Sequence, residues 1–446
     1  MNALNQYIEL YKEQKDIIGK NSASELNACR DAALETLLQK GLPGEKDENF
    51  LHSNVSDWLS PNYGLNIQRL NLPLDTDEPF RCSVPNLSTQ LYFLNGDSFK
   101  AAPQTNPALL PAGVVVMGMN AFAVAYPEIF RKYYNRLSYS DSVSCLNTLL
   151  VQDGFVVYVP KNVVVEKPIQ LIELMQATLS MMACRRILLV LEQGAALKLL
   201  LCDHSLSLQE YLSLQVIEAF VADNASLELY DLEETHTSNR RISNLYASVG
   251  ADSRFVCNFI TLHNGSTRNC ANVSVNGPGA EIVLNGIAIA DKRQHVDNYT
   301  FIDHNSYNSK SRELFKYVLD GNSTGAFKGR VLVRPGAQRT DSQQTNRNLA
   351  ITPTARMFAE PQLEIYADDV KCSHGATVGQ LDNAALFYMR QRGISEQEAK
   401  MLLQEAFVGE VIDFIPLVPL RDRLNRLVSL RFRGQLAQCK GCSICR

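Results

Sequence analysis

The chain has 446 residues, of which 46% are hydrophobic and 20% are charged, and its formal net charge at neutral pH is −4. This composition is typical of a globular protein with a sizeable core, and it argues against overall electrostatic attraction to nucleic acid or anionic lipid. The apolar runs, such as "ILLVL" at residues 187–191, are too short to span a bilayer, and residues 1–20 lack the apolar core of a signal peptide. The eleven cysteines are therefore expected to be reduced thiols in a cytoplasmic protein.

The first part of the chain, residues 1–95, is predicted to be helical and then irregular. A series at helical spacing within residues 1–20 consists of Leu4, Ile8, Tyr11, Lys15 and Ile18. A second helix is predicted over residues 24–40, because Gly41 and Pro43 follow it as stop signals.

From about Leu91 the sequence changes to short β-rich runs, and a repeat appears among them. Each unit has a turn residue, a small residue and then apolar residues that alternate with polar ones, at steps of about 30 residues. The copies are "GAALKL" from Gly194, "NASLEL" from Asn224, a looser copy at Gly250 with Phe255, and "GAEIVL" from Gly279. A regular step without intervening helices predicts a parallel β-helix of stacked coils over residues 96–380.

The alternative for this region is a β-sandwich whose turns share the spacing by chance. A sandwich would show a hairpin turn about every 8–12 residues, and the Asn-Gly pairs at Asn264, Asn276 and Asn285 fit that pattern in part. The regular step of the repeat favours the β-helix.

After residue 380 the pattern changes to helices, which are predicted over residues 381–446. Asp382 is a candidate N-cap, Gly393 a helix stop, and Ser395 with Glu398 a capping box for the next helix. The apolar stripe of that helix consists of Ala399, Leu402, Leu403, Ala406, Phe407, Val411 and Ile412, and a further helix carries Leu424, Leu427 and Leu430. Packing against the β-helix and docking of a partner protein both fit these stripes, and the two are not exclusive.

Several common catalytic motifs are absent from the sequence. It contains no P-loop, no H-E-x-x-H and no dinucleotide fingerprint after a strand. Acidic residues such as Asp231, Glu233 and Glu234 are interpreted as part of a solvated face. The histidines interpreted as surface or strand-edge residues are His204, His236, His263, His295 and His304.

Cys372 and His374 form a different kind of pair. They are two residues apart, so on a strand their side chains lie on the same face. A thiolate and an imidazole on one face suit a soft metal or the iron of a cluster. A buried cysteine beside a hydrogen-bonded histidine is the structural alternative, and the spacing alone does not decide between them.

The stretch that contains this pair resembles the SufD family of the Suf iron–sulfur cluster assembly machinery. The resemblance is carried by "RPGAQRTDSQQTNRNLAITPTARMFAEPQLEIYADDVKCSHGATVGQLDNAALFYMRQRGIS", and most specifically by "DDVKCSHGATVGQLD". Similar segments are "LYFLNG" at residues 91–96, "DGFVVYVPKNVVVEKPIQL" at residues 153–171 and "GLP" at residues 41–43. The paralogous scaffold subunit, SufB, is expected to differ around the histidine.

The resemblance implies a mainly β fold, a right-handed parallel β-helix flanked by N-terminal and C-terminal helical regions. It also implies a subunit of a SufB–SufC–SufD complex on which iron–sulfur clusters form transiently. SufC, an ABC-type ATPase, would dock on about residues 383–414, so this chain would bind no nucleotide itself. The edge of the β-helix would pair with SufB, or with a second copy of this chain in a homodimer when SufB is absent.

The family histidine corresponds to His374, which by this resemblance offers a nitrogen ligand to iron at the SufB interface. Cys372 in the same motif is a secondary candidate, with a structural role as its alternative. Because only neutral imidazole and thiolate bind metal, cluster assembly is expected to fail in acid.

The chain ends in "CKGCSICR", with Cys439, Cys442 and Cys445 three residues apart. This spacing resembles part of a ferredoxin ligand run but lacks the fourth cysteine, and the SufD resemblance does not require it. Three interpretations stay open: a disordered end with incidental thiols, a metal or cluster site that a partner completes, and a relay of sulfur to the scaffold.

Three other functions compete with that of an assembly subunit. A carbohydrate-active β-helix enzyme would need an aromatic-lined groove and clustered acids, whereas the single tryptophan, Trp58, lies outside the repeat region. A purely structural protein without a role in metal binding and a SufB-like scaffold subunit are the others.

Overall fold

The protein is described here by a computed structural model that covers residues 3–44, 46–72, 84, 87–88, 90–175, 179–205 and 209–435. Two long β-sheets, stacked face to face, dominate these ranges, and helices cover parts of their outer faces. None of the helices within these ranges is long and apolar enough to cross a membrane.

The strands of the described ranges are β1 (Gln90–Asn95), β2 (Ser98–Ala101), β3 (Val115–Gly118), β4 (Phe155–Val159), β5 (Ile169–Met175), β6 (Met181–Leu191), β7 (Ala196–Ser205), β8 (Tyr211–Val221), β9 (Ser226–Glu234), β10 (Arg240–Val249), β11 (Arg254–His263), β12 (Ser266–Val275), β13 (Glu281–Ala290), β14 (His295–His304), β15 (Lys310–Leu319), β16 (Thr324–Val333), β17 (Asp341–Ala350), β18 (Arg356–Ile365) and β19 (Lys371–Gly379).

The helices of the same ranges are α1 (Ala3–Lys20), α2 (Ser24–Asn27), α3 (Arg30–Lys40), α4 (Val55–Leu59), α5 (Met119–Ala125), α6 (Pro127–Tyr133), α7 (Ser142–Leu150), α8 (Asn383–Gln391), α9 (Glu396–Ile412) and α10 (Val418–Phe432), with 3-10 turns at Glu48–Phe50 and Pro107–Leu109. The sequence pattern did not indicate α5, α6 and α7, which lie between β3 and β4.

The two sheets form a parallel β-solenoid, as the repeat predicts. One sheet has the order β19-β17-β15-β13-β11-β9-β7-β5-β1-β2, and the other has the order β18-β16-β14-β12-β10-β8-β6-β4-β3. Every pairing is parallel except β1 with β2 and β3 with β4. Each coil therefore adds one strand to each sheet, which excludes the alternative of an antiparallel β-sandwich.

The repeat seen in the sequence marks one corner of each coil. Gly194, Asn224, Asp252 and Gly279 all have a left-handed backbone, with φ between 50° and 71°. The looser third copy is therefore anchored on Asp252 rather than on Gly250. Asp252 adopts this φ because a short polar side chain tolerates it. Gly250 is needed for close approach instead, since a Cβ there would lie 2.4 Å from Oδ1 of Asp223.

The space between the sheets is filled by side chains that stack in columns from coil to coil. Leu197, Leu227, Phe255 and Ile282 occupy equivalent positions on successive strands and are all buried. Such columns continue through the middle coils as one apolar core. Burial of these side chains, at roughly 2–3 kcal/mol each, is the main force that holds the coils together.

The N-terminal helices pack on the outer face of the sheet that contains β4, β6 and the later even-numbered strands, which we call the even-numbered sheet. The helix predicted over residues 24–40 is divided into α2 and α3, and the side chain of Arg30, the first residue of α3, is buried at the break. Its Nη1 donates to the carbonyl oxygens of Thr148 and Leu149 at 2.8 and 2.6 Å, and its Nη2 to that of Val151 at 2.7 Å. Arg30 thus satisfies carbonyls at the end of α7 that have no partner within the helix.

The C-terminal helices α9 and α10 pack on the outer face of the other sheet, which contains β5, β7 and the later odd-numbered strands and which we call the odd-numbered sheet. The predicted N-caps and helix stop are confirmed: Asp382 accepts from the N–H of Ala384 at 2.8 Å, Ser395 from that of Glu398 at 3.2 Å, and Gly393 has a φ of 85°. The carboxylate of Glu398, the other half of the predicted capping box, accepts from Nη2 of Arg433 at 2.8 Å. The buried residues Ala399, Val408, Val411, Ile412, Leu424 and Leu427 make the packing face. Of the predicted stripes, Ala399, Val411 and Ile412 of α9 and Leu424 and Leu427 of α10 are thus buried. The other stripe residues are half-buried, except Ala406, which is exposed.

Candidate functional site

The solenoid ends in two strands that have a neighbour on one side only. β18 pairs with β16, and β19 pairs with β17, and no other strand of the described chain reaches their second edges. An unpaired strand edge presents N–H and C=O groups that can accept another strand. We call this region, formed by β18 and β19, the open end.

The motif around Cys372 and His374 forms β19. The turn before it is held to the previous coil, because Arg339 donates its N–H to the carbonyl of Asp369 at 2.6 Å and Lys371 donates to that of Thr340 at 2.8 Å. Strand pairing then places Cys372 beside Ser342 and His374 beside Gln344 of β17.

His374 points along the column that forms the interior of the lower coils. The residues below it in the same register are Gln344, Glu313, Leu284 and Cys257, all of which are buried. His374 itself is exposed, because no further coil within the described residues lies above it. The imidazole is therefore an interior residue that the end of the solenoid leaves accessible.

Cys372 lies on the same face of β19 as His374, as its spacing predicts, but it is half-buried. It packs with Leu363 and Val370 against a small core around Val331 and Val333. Burial raises the pKa of its thiol. The thiol form is therefore favoured at neutral pH, which makes Cys372 a weaker metal donor than an exposed cysteine.

The layer below the open end is polar. The interior-facing residues of β17 are Ser342, Gln344, Asn346 and Asn348, and each is at most 2% exposed. Asn348 donates to the carbonyl oxygen of Thr377 on β19 at 2.9 Å, so this layer also supports the terminal strand. Sequence reasoning missed it, because alternating polar residues in "DSQQTNRN" resemble a solvated strand face.

Glu313 is a buried carboxyl group one coil further down. It accepts a hydrogen bond from Nε2 of Gln344. Burial raises its pKa to about 7, while the hydrogen bond from Gln344 acts in the opposite direction. The column below His374 therefore contains an amide and an acid whose charge changes near neutral pH.

A second polar cluster lies deeper in the solenoid. Asp231 and Glu233, interpreted from sequence as solvated, are each 1% exposed, and that interpretation is wrong. Asp231 accepts from Nη2 of Arg241 at 2.7 Å, and Arg185 pairs with Asp203 at 2.9 Å. Both arginines come from the opposite sheet, so the carboxylates face the interior because their charges are compensated there.

Two of the five histidines interpreted as surface or strand-edge residues are also buried. His204 and His304 are both fully buried, and His304 bonds to the hydroxyls of Ser309 at 2.7 Å and Ser311 at 3.0 Å. Sequence did not indicate this, because a polar side chain at an interior position is invisible to hydrophobic periodicity.

No group of three or more His, Cys, Asp or Glu side chains suited to a metal ion occurs within the described residues. At the open end the described chain offers one exposed imidazole and one half-buried thiol. The tail cysteines Cys439, Cys442 and Cys445 lie outside the described residues. A metal at His374 would therefore need further ligands from another molecule or from the cargo itself.

Exposed apolar side chains also lie on the two terminal strands and in the turn between them. Ile365 of β18 is 40% exposed, Tyr366 63% and Val378 of β19 54%. A separate apolar surface lies on the C-terminal helices, where α8 buries none of its residues and exposes Phe387 and Tyr388, with Phe414 beyond the end of α9. These two surfaces are the parts of the predicted partner contacts that the described residues leave uncovered.

Two family models match almost the whole chain. A model described as the SufBD core domain of the SUF system for FeS cluster assembly matches residues 174–407. A second, described as the SufBD protein N-terminal region, matches residues 1–171. The first match covers the solenoid from the end of β5 and most of α9.

Curated relatives agree with these matches. An iron–sulfur cluster assembly SufBD family protein of Synechocystis is 28% identical over 445 residues, which is 96% of each chain. The iron–sulfur cluster assembly protein SufD of Escherichia coli is 32% identical over 214 residues, 48% of this chain and 51% of that protein. SufD of Bacillus subtilis is 23% identical over 401 residues, 85% of this chain and 89% of that protein. The resemblance found in the motif around His374 is confirmed, and the chain belongs to the SufBD family of the SUF iron–sulfur cluster assembly system.

Proposed function

We propose that this chain is a SufD-type, non-enzymatic subunit that joins a SufB-like scaffold and a SufC-like ATPase, and that His374 offers a ring nitrogen to iron while a cluster forms at the scaffold interface. The observation that carries the proposal is the position of His374. It lies on the interior-facing side of the last strand, yet it is exposed, because nothing in the described chain continues the solenoid above it.

An interface with another β-rich subunit would complete the open end. Within the described chain both β18 and β19 have an unpaired edge, and a strand from a partner gains main-chain hydrogen bonds by adding to such an edge. The exposed apolar side chains of Ile365, Tyr366 and Val378 would be buried at the same time. A scaffold subunit meets these needs, and a second copy of this chain would meet them in the isolated protein.

The chemistry at this interface is the binding of an assembling cluster as cargo, not catalysis by this chain. Neutral imidazole binds iron through one nitrogen. Cys372 is a secondary ligand, since its thiol must first lose a proton that burial helps it keep. The partner and the sulfide of the cluster would supply the other ligands.

The ATPase would bind the exposed C-terminal surface. The sequence has no P-loop, so energy from nucleotide must reach the complex through another subunit. Phe387 and Tyr388 are 63% and 54% exposed on a helix that buries none of its own residues. Two large aromatic side chains on such a helix are typical anchors of a protein interface.

The decisive experiment reconstitutes the three-subunit complex and measures iron and sulfide after anaerobic cluster assembly. His374→Ala is expected to abolish most of the assembled cluster without preventing complex formation. Ser373→Ala is the matched control, because this exposed neighbour on β19 points to the other face of the strand. Normal cluster yield with His374→Ala would show that the open end has only a structural role.

Binding of the ATPase is tested separately. Replacement of both Phe387 and Tyr388 by Ser is expected to remove the ATPase from co-purified complexes, since interface aromatics often contribute 2 kcal/mol or more, on the order of 30-fold in affinity. Val124→Ser, at a position 73% exposed on α5, is the control. Retention of the ATPase by the double variant would place its docking site elsewhere.

A second proposal is that Cys439, Cys442 and Cys445, which lie outside the described residues, bind metal or relay sulfur. A triple replacement by Ser in the same assembly assay distinguishes an incidental tail from a metal or sulfur site. Unchanged assembly would support the incidental tail.

A further inference from the structure

The residue directly below His374 in the interior column is Gln344, whose side-chain amide is buried. In the parallel register of β17 and β19, Gln344 is the immediate neighbour of His374 on the interior-facing side. Adjacent strands lie about 4.8 Å apart, so the amide is within reach of an imidazole that turns inward. Gln344 is 1% exposed, whereas His374 is exposed.

The amide of Gln344 is held from two sides. Its Nε2 donates to Oε2 of Glu313, the buried carboxyl group in the next coil of the same column. It also lies against the backbone of Gly329 on the opposite sheet, where a Cβ would come within 2.2 Å of Nε2. The side chain therefore crosses the interior in a fixed position.

One hydrogen-bonding atom of this amide is unused. Among the described residues, Oε1 of Gln344 has no hydrogen-bond partner although it is buried. Buried polar atoms are nearly always hydrogen-bonded, so an open acceptor beside a candidate metal ligand requires an explanation. The nitrogen is committed to Glu313 in the coil below, and the adjacent interior-facing residue on the other side of Gln344 is His374.

We propose that Gln344 is a positioning residue for His374: when one ring nitrogen binds iron, the other donates its N–H to Oε1 of Gln344. This inference rests on the proposed function of His374. A histidine that binds metal almost always donates its second N–H to a fixed acceptor, which sets the tautomer and the direction of the ring. Glu313 acts one step further away, because it holds the nitrogen of the amide.

The test is the Fe²⁺ affinity of the purified three-subunit complex, measured anaerobically and without sulfide by competition with a chromophoric chelator. Gln344→Met keeps the length of the side chain but removes the acceptor, and the Kd for Fe²⁺ is expected to rise about 10- to 100-fold. Gly329→Ala displaces the amide instead and is expected to act in the same direction. Ser342→Ala, below Cys372 on the same strand, should stay within about twofold of the wild type.

A swap of the two side chains separates positioning from simple packing. In the double variant Glu313→Gln with Gln344→Glu, the new amide donates to the new carboxylate, which keeps an oxygen free for His374. We expect its Kd to return to within about threefold of the wild-type value, whereas a packing role predicts no such recovery relative to Gln344→Met.

The possible failures are distinguishable. An unchanged Kd in both Gln344→Met and Gly329→Ala, together with a raised Kd in His374→Ala, would overturn the positioning role alone. An unchanged Kd in His374→Ala would overturn the proposed function, and with it this inference. If Gln344→Met fails to form the complex, Gly329→Ala and the swapped pair decide the question.

Discussion

The replacement of Glu313 by Gln should stabilise the protein in a way that depends on pH. The two side chains have nearly the same shape, and an amide oxygen at this position still accepts the hydrogen bond from Gln344. What changes is the charge, since the folded protein raises the pKa of Glu313 from 4.5 to about 7 by burial. The folded state therefore holds the proton more tightly than the unfolded state does.

The size of the effect follows from that difference. Each pKa unit between folded and unfolded states corresponds to about 1.4 kcal/mol, so the ionised carboxylate costs the fold roughly 3 kcal/mol well above pH 7. Because the native state binds more protons between the two pKa values, wild-type stability falls as the pH rises from 4.5 to 7. The variant lacks this loss, and its advantage over the wild type should grow by roughly 2–3 kcal/mol between pH 5 and pH 8.

Urea unfolding followed by circular dichroism at pH 5 and pH 8 measures this difference. The pKa of buried His304 falls to about 4, so its contribution to stability rises with pH up to about 6.5, but it does so in both proteins and cancels. Glu281→Gln, an exposed carboxyl on the neighbouring strand, should change stability by less than about 0.5 kcal/mol at either pH. An offset for Glu313→Gln that is equal at both pH values would refute the reasoning.

Three further predictions concern stability and reactivity. Arg30→Met should lower the free energy of unfolding by roughly 2–4 kcal/mol in urea titrations, because carbonyls at the end of α7 lose a buried charged donor, whereas Lys15→Met on the exposed side of α1 should cost little. Gly286→Ala should lower the thermal midpoint, since its Cβ would lie 2.3 Å from the ring of Phe315, and overpacking of this kind costs roughly 1–3 kcal/mol; an unchanged midpoint would contradict the packing described. The thiol of Cys372 should react with iodoacetamide at pH 8 more slowly than free cysteine does, because burial raises its pKa; a faster reaction, read by mass spectrometry of its peptide, would argue against that environment.

The solenoid could be predicted from sequence because two independent signals coincide in each coil. A left-handed turn residue such as Asn224 precedes alternating apolar residues such as Leu227 and Leu229, and both recur with the coil. The third corner was misplaced by two residues, because glycine is the usual choice for positive φ and Gly250 lies close to Asp252. The sequence does not show that Gly250 is needed because a Cβ would clash with Asp223, whereas Asp252 has the left-handed backbone. Only the packing of the coils distinguishes these two roles.

The polar interior could not be predicted, since alternation identifies an inward face only when that face is apolar. Asp231 and Glu233 are indistinguishable in sequence from solvated carboxylates until Arg241 is placed on the opposite sheet. Gln344 and Glu313 would have been found by extending the repeat from His374 toward the N-terminus in steps of one coil, to 344 and then to 313. The accessibility of His374 itself depends on where the coils stop, which a local motif does not specify.

The change in the interior from leucines to amides toward the last coils has a consequence for the life of the unassembled subunit. Each coil rests mainly on its neighbours, so cohesion declines where the apolar columns end, and fraying of β18 and β19 need not disturb the coils beneath. A subunit without its partner would thus present a loosened terminus to proteases, while a bound partner would clamp it. The resistance of the chain to proteolysis would therefore depend on whether its partner is bound.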